Sequence, residues 1–131
     1  MTEAELNEVR ELKKEIQAAE RQLRILKTAA ENLVPVLDGL PHAQNPKSRV
    51  ASIATLIIDA ERALTTLKEK LDSTGAKLIA RIRREPLTTR EQEILILRYV
   101  ACMNFRDIEF KLHLSDASVF FHHRNALRKL Q

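Results

Sequence analysis

A chain of 131 residues with 44% hydrophobic side chains is long enough for one folded domain, or for a small domain carrying an appendage. Two Gly, four Pro, 4% aromatics and no Trp leave little for turns or sheets and point to long helices. One cysteine, Cys102, excludes an internal disulfide and suits the reducing cytoplasm, and no run of 18 apolar residues exists to span a membrane.

The net charge of +4 divides unevenly. Residues 1–75 hold 11 basic and 12 acidic side chains, whereas residues 76–131 hold 11 and 6. The basic excess belongs to the C-terminal part, where it fits either a polyanionic partner or a mildly basic surface with no partner. Met1 to Arg10 is acidic and polar, unlike a signal peptide.

Thr2 with Glu5 fits a capping box that opens the first helix. Apolar residues then recur every seven positions at Val9, Ile16, Leu23, Ala30 and Leu37, with a second set at Leu12, Ala19, Leu26 and Leu33. These are the a and d positions of a coiled-coil heptad. Pro35 and Gly39-Leu40-Pro41 end the helix, and Leu37 to Ser48 reads as a loop. A second helix from about Ser48 carries Val50, Ile57, Leu64 and Leu71, with Ile53, Ala60 and Leu67 between them. The two helices are similar in length and can fold back as an antiparallel hairpin. One seam makes a thin core. Ile25, Leu56 and Ile58 fall outside it and suggest further burial, against a second copy or against the rest of the chain. The residues expected to support oligomerisation are Val9, Ile16, Leu23, Leu26, Ile53, Ile57, Leu64 and Leu67.

Asp72-Ser73-Thr74-Gly75 is expected to break or bend the second helix, which divides the chain into a hairpin, 1–75, and a compact helical domain, 76–131. In the latter a short helix, Ala76 to Arg84, shows Leu78, Ile79 and Ile82 on one face, and Pro86 stops it. Thr88 with Glu91 makes a second capping box, opening a helix with Ile94, Leu95, Leu97 and Val100 inside. Asn104 caps the next helix, with Asp107 at its third position and Ile108 and Leu112 inward. His113-Leu114 forms a tight turn. Ser115 caps a last helix with an inward stripe of Val119, His122, Ala126, Leu127 and Leu130. Two short helices joined by a tight turn, the second ending in a basic run, match a helix-turn-helix.

Leu87-Thr88-Thr89-Arg90-Glu91-Gln92-Glu93-Ile94-Leu95, Leu97-Arg98-Tyr99-Val100, Asp107-Ile108, Leu112-His113-Leu114-Ser115, Val119 and Ala126-Leu127-Arg128-Lys129-Leu130 carry a resemblance over about 45 residues. This stretch resembles region 4 of sigma-70-type factors and the related LuxR-type DNA-binding domain. The whole chain also resembles small phage and prophage proteins of Gram-positive bacteria, late-gene transcription activators of the ArpU and RinA type. That likeness rests on Gly39-Leu40-Pro41 through Asn45-Pro46 to Ile58-Asp59-Ala60-Glu61, and on Val119-Phe120 to His123. The resemblance implies an all-α fold with a C-terminal DNA-binding domain, and control of phage or mobile-element genes. Five positions depart from the pattern. Cys102 and His113 stand where Gly is common, Glu109 where a small Ala lets the helices approach, and Asp116 and Phe121 where basic or polar groups are usual.

In such an arrangement the last helix, 115–130, enters the major groove of double-stranded DNA. Its outward face holds Asp116, Ala117, Phe120, Phe121 and Arg124 as candidate base contacts. Arg124 suits a guanine, the two Phe suit thymine methyl groups, and Asp116 suits a cytosine amine. Asn104, Arg106, Ser115, Ser118, Arg128 and Lys129 are placed for phosphate, and His123 for either role. The adjacent Phe pair is the part of this face that also suits a protein partner, such as RNA polymerase or a second subunit, as the less favoured reading. His122 suits a boundary position, and Arg128 and Lys129 also complement the helix dipole.

No cofactor, metal site or enzyme is expected. The adjacent His122-His123 point about 100° apart on a helix, and two glycines make no phosphate loop. The expectation is a cytoplasmic, homodimeric DNA-binding regulator, more readily an activator than a repressor. Two alternatives stay open. One is a DNA-packaging recognition subunit of the small-terminase kind, disfavoured by the C-terminal place of the DNA-binding part. The other is a module that binds sigma factor or RNA polymerase without DNA.

Overall fold

The computed structural model describes the backbone of residues 1–37 and 46–131, with side chains for 1–33 and 51–131. Every element among them is helical: α1 (Glu3–Leu37), α2 (Pro46–Arg84), α3 (Thr89–Leu95), a π-helical turn (Ile96–Val100), α4 (Phe105–Leu112) and α5 (Asp116–Leu130). No helix among the described residues is long and apolar enough to cross a membrane. The expected loop at Gly39-Leu40-Pro41 and onward to Asn45 lies outside the described residues.

α1 starts at the expected cap. The Glu5 N–H donates to Thr2 Oγ1 at 3.2 Å, and the Thr2 N–H donates to Glu5 Oε2 at 2.9 Å. The helix then runs through Pro35 to Leu37 rather than stopping at the proline. α2 begins at Pro46, two residues before the expected Ser48; a proline suits a first helical position because its missing N–H has no partner there.

The expected break at Asp72-Ser73-Thr74-Gly75 does not occur, and α2 continues to Arg84 as one helix. Leu71, Gly75, Leu78 and Ile82 are spaced at four, three and four residues, so the inward stripe passes straight through the glycine. A glycine inside a helix costs about 1 kcal/mol. That cost is outweighed by burial of the apolar stripe on either side of it, since Leu78 and Ile82 are core residues with Leu71 packed against them.

The chain forms two compact units, Met1–Lys13 with Lys70–Gln131, and Lys14–Glu69. The expected boundary at residue 75 therefore falls inside a helix, and the first turns of α1 group with the C-terminal residues. Within the first unit one core joins Leu6 and Val9 to Leu78, Ile82, Leu95, Tyr99, Ala126 and Leu130. A second, smaller core holds Ile94, Ile108 and Val119, with Leu97, Met103, Phe105, Leu112 and Leu114 around it. Arg10 and Lys13 add polar ties. Arg10 Nη2 donates to the Arg98 carbonyl at 3.3 Å, and Lys13 Nζ to the carbonyls of Val100 and Ala101 at 3.4 Å.

Within the second unit α1 and α2 run antiparallel. Lys27 pairs with Glu61 at 3.8 Å and Lys68 with Glu20 at 3.7 Å, so residues later in α1 stand beside residues earlier in α2. Ile16 and Leu64 are buried, and Leu23, Leu26, Leu33, Ile53, Ile57 and Leu67 are half-buried. Leu37 and Val50 lie outside the described side chains.

Candidate nucleic-acid interface

Three caps set the frame of the C-terminal unit, and each was legible in the sequence. Thr88 Oγ1 accepts the Glu91 N–H at 3.2 Å, Asn104 Oδ1 accepts the Asp107 N–H at 2.8 Å, and Ser115 Oγ accepts the Ser118 N–H at 3.1 Å. Each satisfies an N–H that the first helical turn leaves without a backbone partner. α5 packs against both α3 and α4.

Between α4 and α5 the chain reverses at His113, whose φ of 55° and ψ of 44° place it in the left-handed region. Its N–H and that of Leu114 close the helix end on the Glu109 carbonyl, as in a left-handed C-cap. Cys102, between the π-helical turn and α4, has φ 58°. The two positions where Gly is common in the resembled pattern are thus the two non-glycine residues with positive φ among the described residues. At both, a side chain stands in a conformation that glycine adopts at less cost.

The π-helical turn changes which side chains face inward. The Ala101 N–H donates to the Ile96 carbonyl, five residues back, at 3.0 Å. Tyr99 is buried there, while the expected core residues Leu97 and Val100 are only half-buried. The Tyr99 hydroxyl and His123 Nε2 share a hydrogen bond at 2.9 Å, the two rings stack at 5.8 Å, and Phe105 meets His123 edge-on at 5.0 Å. Arg98 lies 4.2 Å from the Phe105 ring centroid and donates to the Met103 carbonyl. Burial first, then the Arg98 charge, push the His123 imidazole below its ordinary value. Burial pushes the Tyr99 hydroxyl up. His123, which the sequence left between base and phosphate roles, is thus an inward residue. His122 instead meets Phe121 edge-on at 5.5 Å.

The opposite side of α5 is exposed. Val119, Ala126 and Leu130 are buried, and Ala117, Phe120, Phe121, Arg124 and Arg128 lie across the helix from them. Phe120 and Phe121 are 62% and 60% exposed, too open for core residues. Asp116 is exposed at the first turn, beside Glu109 from α4. Desolvation, followed by the hydrogen bond and charge of Asp116, raises the Glu109 carboxyl above its ordinary value. Two carboxylates thus face each other across the turn, where the resembled pattern has a small residue.

Of the expected phosphate-binding side chains, Arg106 and Arg128 are exposed. Asn104 and Ser115 are exposed but serve as caps, and Ser118 is half-buried. Lys129 is engaged: its Nζ donates to Glu91 Oε1 at 2.9 Å, while Glu91 Oε2 accepts the Thr88 N–H. Glu91 is only 4% exposed, so its carboxylate draws Lys129 away from solvent ligands. Of the expected oligomerisation residues, Val9 is covered by the core of its own chain at 1% exposure, as are Ile16 and Leu64 by the α1–α2 seam.

One exposed residue escaped the sequence reading. Phe110 on α4 is 76% exposed. Its signal was available: two residues from the inward Ile108, it turns about 200° away on a helix.

No family model, no curated protein and no solved structure matches the chain.

Proposed function

We propose that this chain is a sequence-specific DNA-binding regulator, built from a helical hairpin and a C-terminal helix-turn-helix whose second helix, α5, enters the major groove. One observation carries the reading. α5 is seated by Val119, Ala126 and Leu130 while the stripe Ala117, Phe120, Phe121, Arg124 and Arg128 stays open to solvent. A helix held on one side and open along the other, preceded by a three-residue turn that reverses at His113, has the form of a recognition helix. The basic excess of residues 76–131 adds the electrostatic attraction that phosphate requires.

In this reading Arg124 takes a guanine through its guanidinium fork, Phe120 and Phe121 lie against thymine methyl groups, and Arg106 and Arg128 hold phosphate. Control of phage or mobile-element transcription follows from the family resemblance. Arg124→Ala should lower affinity for the preferred duplex by roughly 5- to 150-fold, the worth of one bidentate base contact, and relax the preference at one base pair. Unchanged affinity and preference in a binding titration would remove α5 from the groove.

The exposure of Phe110, Phe120 and Phe121 favours a second reading, a protein-docking module for RNA polymerase or a sigma factor. The two separate cleanly. Phe120→Ala that weakens polymerase capture and spares DNA supports the second.

A further inference from the structure

The helical pair of residues 14–69 has two flanks of different character. In an antiparallel pair with a and d residues in the seam, e positions of the two helices meet along one flank and g positions along the other. Taking Ile16, Leu23, Ile57 and Leu64 as a, the e flank holds Glu20, Lys27, Glu61 and Lys68. It is closed by the two cross-helix ion pairs, Lys27 with Glu61 and Lys68 with Glu20. The g flank holds no charge between residues 18 and 32 of α1: Gln22 and Ala29 stand at g, and Ala18, Ile25 and Asn32 beside them at c. α2 answers with Leu56 and Ala63 at g, and Asp59 is the one charge at c between residues 56 and 66. Ile25 and Leu56 are 67% and 53% exposed, and Ala29 and Ala63 are exposed.

A pair that works alone needs apolar residues only at a and d. Apolar residues at a, d and g widen the stripe to that of a helix in a larger bundle. The register set by the ion pairs places Ile25 level with Ala63, a large side chain beside a small one. This alternation is self-complementary: two-fold packing sets knobs of one copy into alanine gaps of the other. The lone charge fits the same arrangement, since Asp59 on α2 of one copy can meet Arg21, which borders Ile25 on α1 of the other. Ile58 lies at b, on the other side of α2, and takes no part.

We infer that the g flank of this helical pair, centred on Ile25, Ala29, Leu56 and Ala63, is the surface on which two copies of the chain associate, as a four-helix bundle. The inference stands apart from the DNA reading. It moves the interface from the heptad seam, which one chain fills by itself, to a face that one chain leaves open.

Sedimentation velocity of the full chain across a concentration series tests it. The wild type should sediment as a dimer at tens of micromolar. Ile25→Glu with Leu56→Glu should weaken the dimer by roughly a hundredfold, as loss of two central apolar anchors does, with helical circular dichroism unchanged. Ile58→Glu should leave it intact. Ile25→Ser with Leu56→Ser gives the same answer with a milder change, should the glutamates disturb the fold. A monomeric wild type, or a double variant that dimerises as tightly as wild type, would overturn the inference.

Discussion

His123 sits between Tyr99 and Phe105, with the Arg98 guanidinium close by, and it belongs to the same helix that offers Arg124 to solvent. Its pKa is lowered in the folded chain, so below about pH 6.5 the unfolded chain binds more protons and acid favours unfolding. Stability should fall as pH drops from about 6.5 toward the folded pKa and level off below it. Urea midpoints at pH 8 and pH 5.5 should therefore differ, and His123→Phe should shrink the difference. An unchanged difference in the variant would assign the pH effect to other groups. Lys129 and Arg128 make a second contrast. Lys129 answers the buried Glu91, so Lys129→Ala should cost about 1–3 kcal/mol of stability by leaving that carboxylate short of a partner. Arg128→Ala should spare stability and lower the salt dependence of DNA binding by about one counterion. Equal behaviour of the two variants in both assays would contradict these assignments.

The elements were legible where their signals are local. The three caps are written within a few residues, Thr88 with Glu91, Asn104 with Asp107, and Ser115 just ahead of α5. The apolar stripes of α1 and α2 follow from heptad spacing. What spacing cannot give is the partner that covers a stripe. Nothing around Leu6 and Val9 says that they pack with Ile82, Tyr99 and Leu130, and nothing near Lys129 names Glu91. The Asp72-Ser73-Thr74-Gly75 run misleads for a related reason: a single glycine is a weak breaker, and the apolar stripe of Leu71, Leu78 and Ile82 carries the helix past it. The union of the first turns of α1 with the C-terminal unit has a direct consequence. Leu6→Ala, at a 3% exposed position, should cost roughly 2–5 kcal/mol in denaturant unfolding followed at the lone tyrosine, Tyr99. A neutral result would mean that residues 1–13 contribute little to that core.

The chain as a whole combines two open surfaces. One is the outward stripe of α5, with aromatic rings and two arginines; the other is the flank of the α1–α2 pair that holds Ile25 and Leu56. If the second joins two copies, the first occurs twice, and a two-fold symmetric protein reads two related half-sites. Whether this chain reads DNA sequence is decided by selecting bound duplexes from a random DNA pool with the full chain at near-physiological salt, followed by sequencing. A sequence-reading dimer should yield an enriched motif of two related halves. A pool that emerges unenriched would contradict it, leaving only charge-driven binding and turning attention to the exposed Phe110, Phe120 and Phe121 as a protein-docking face.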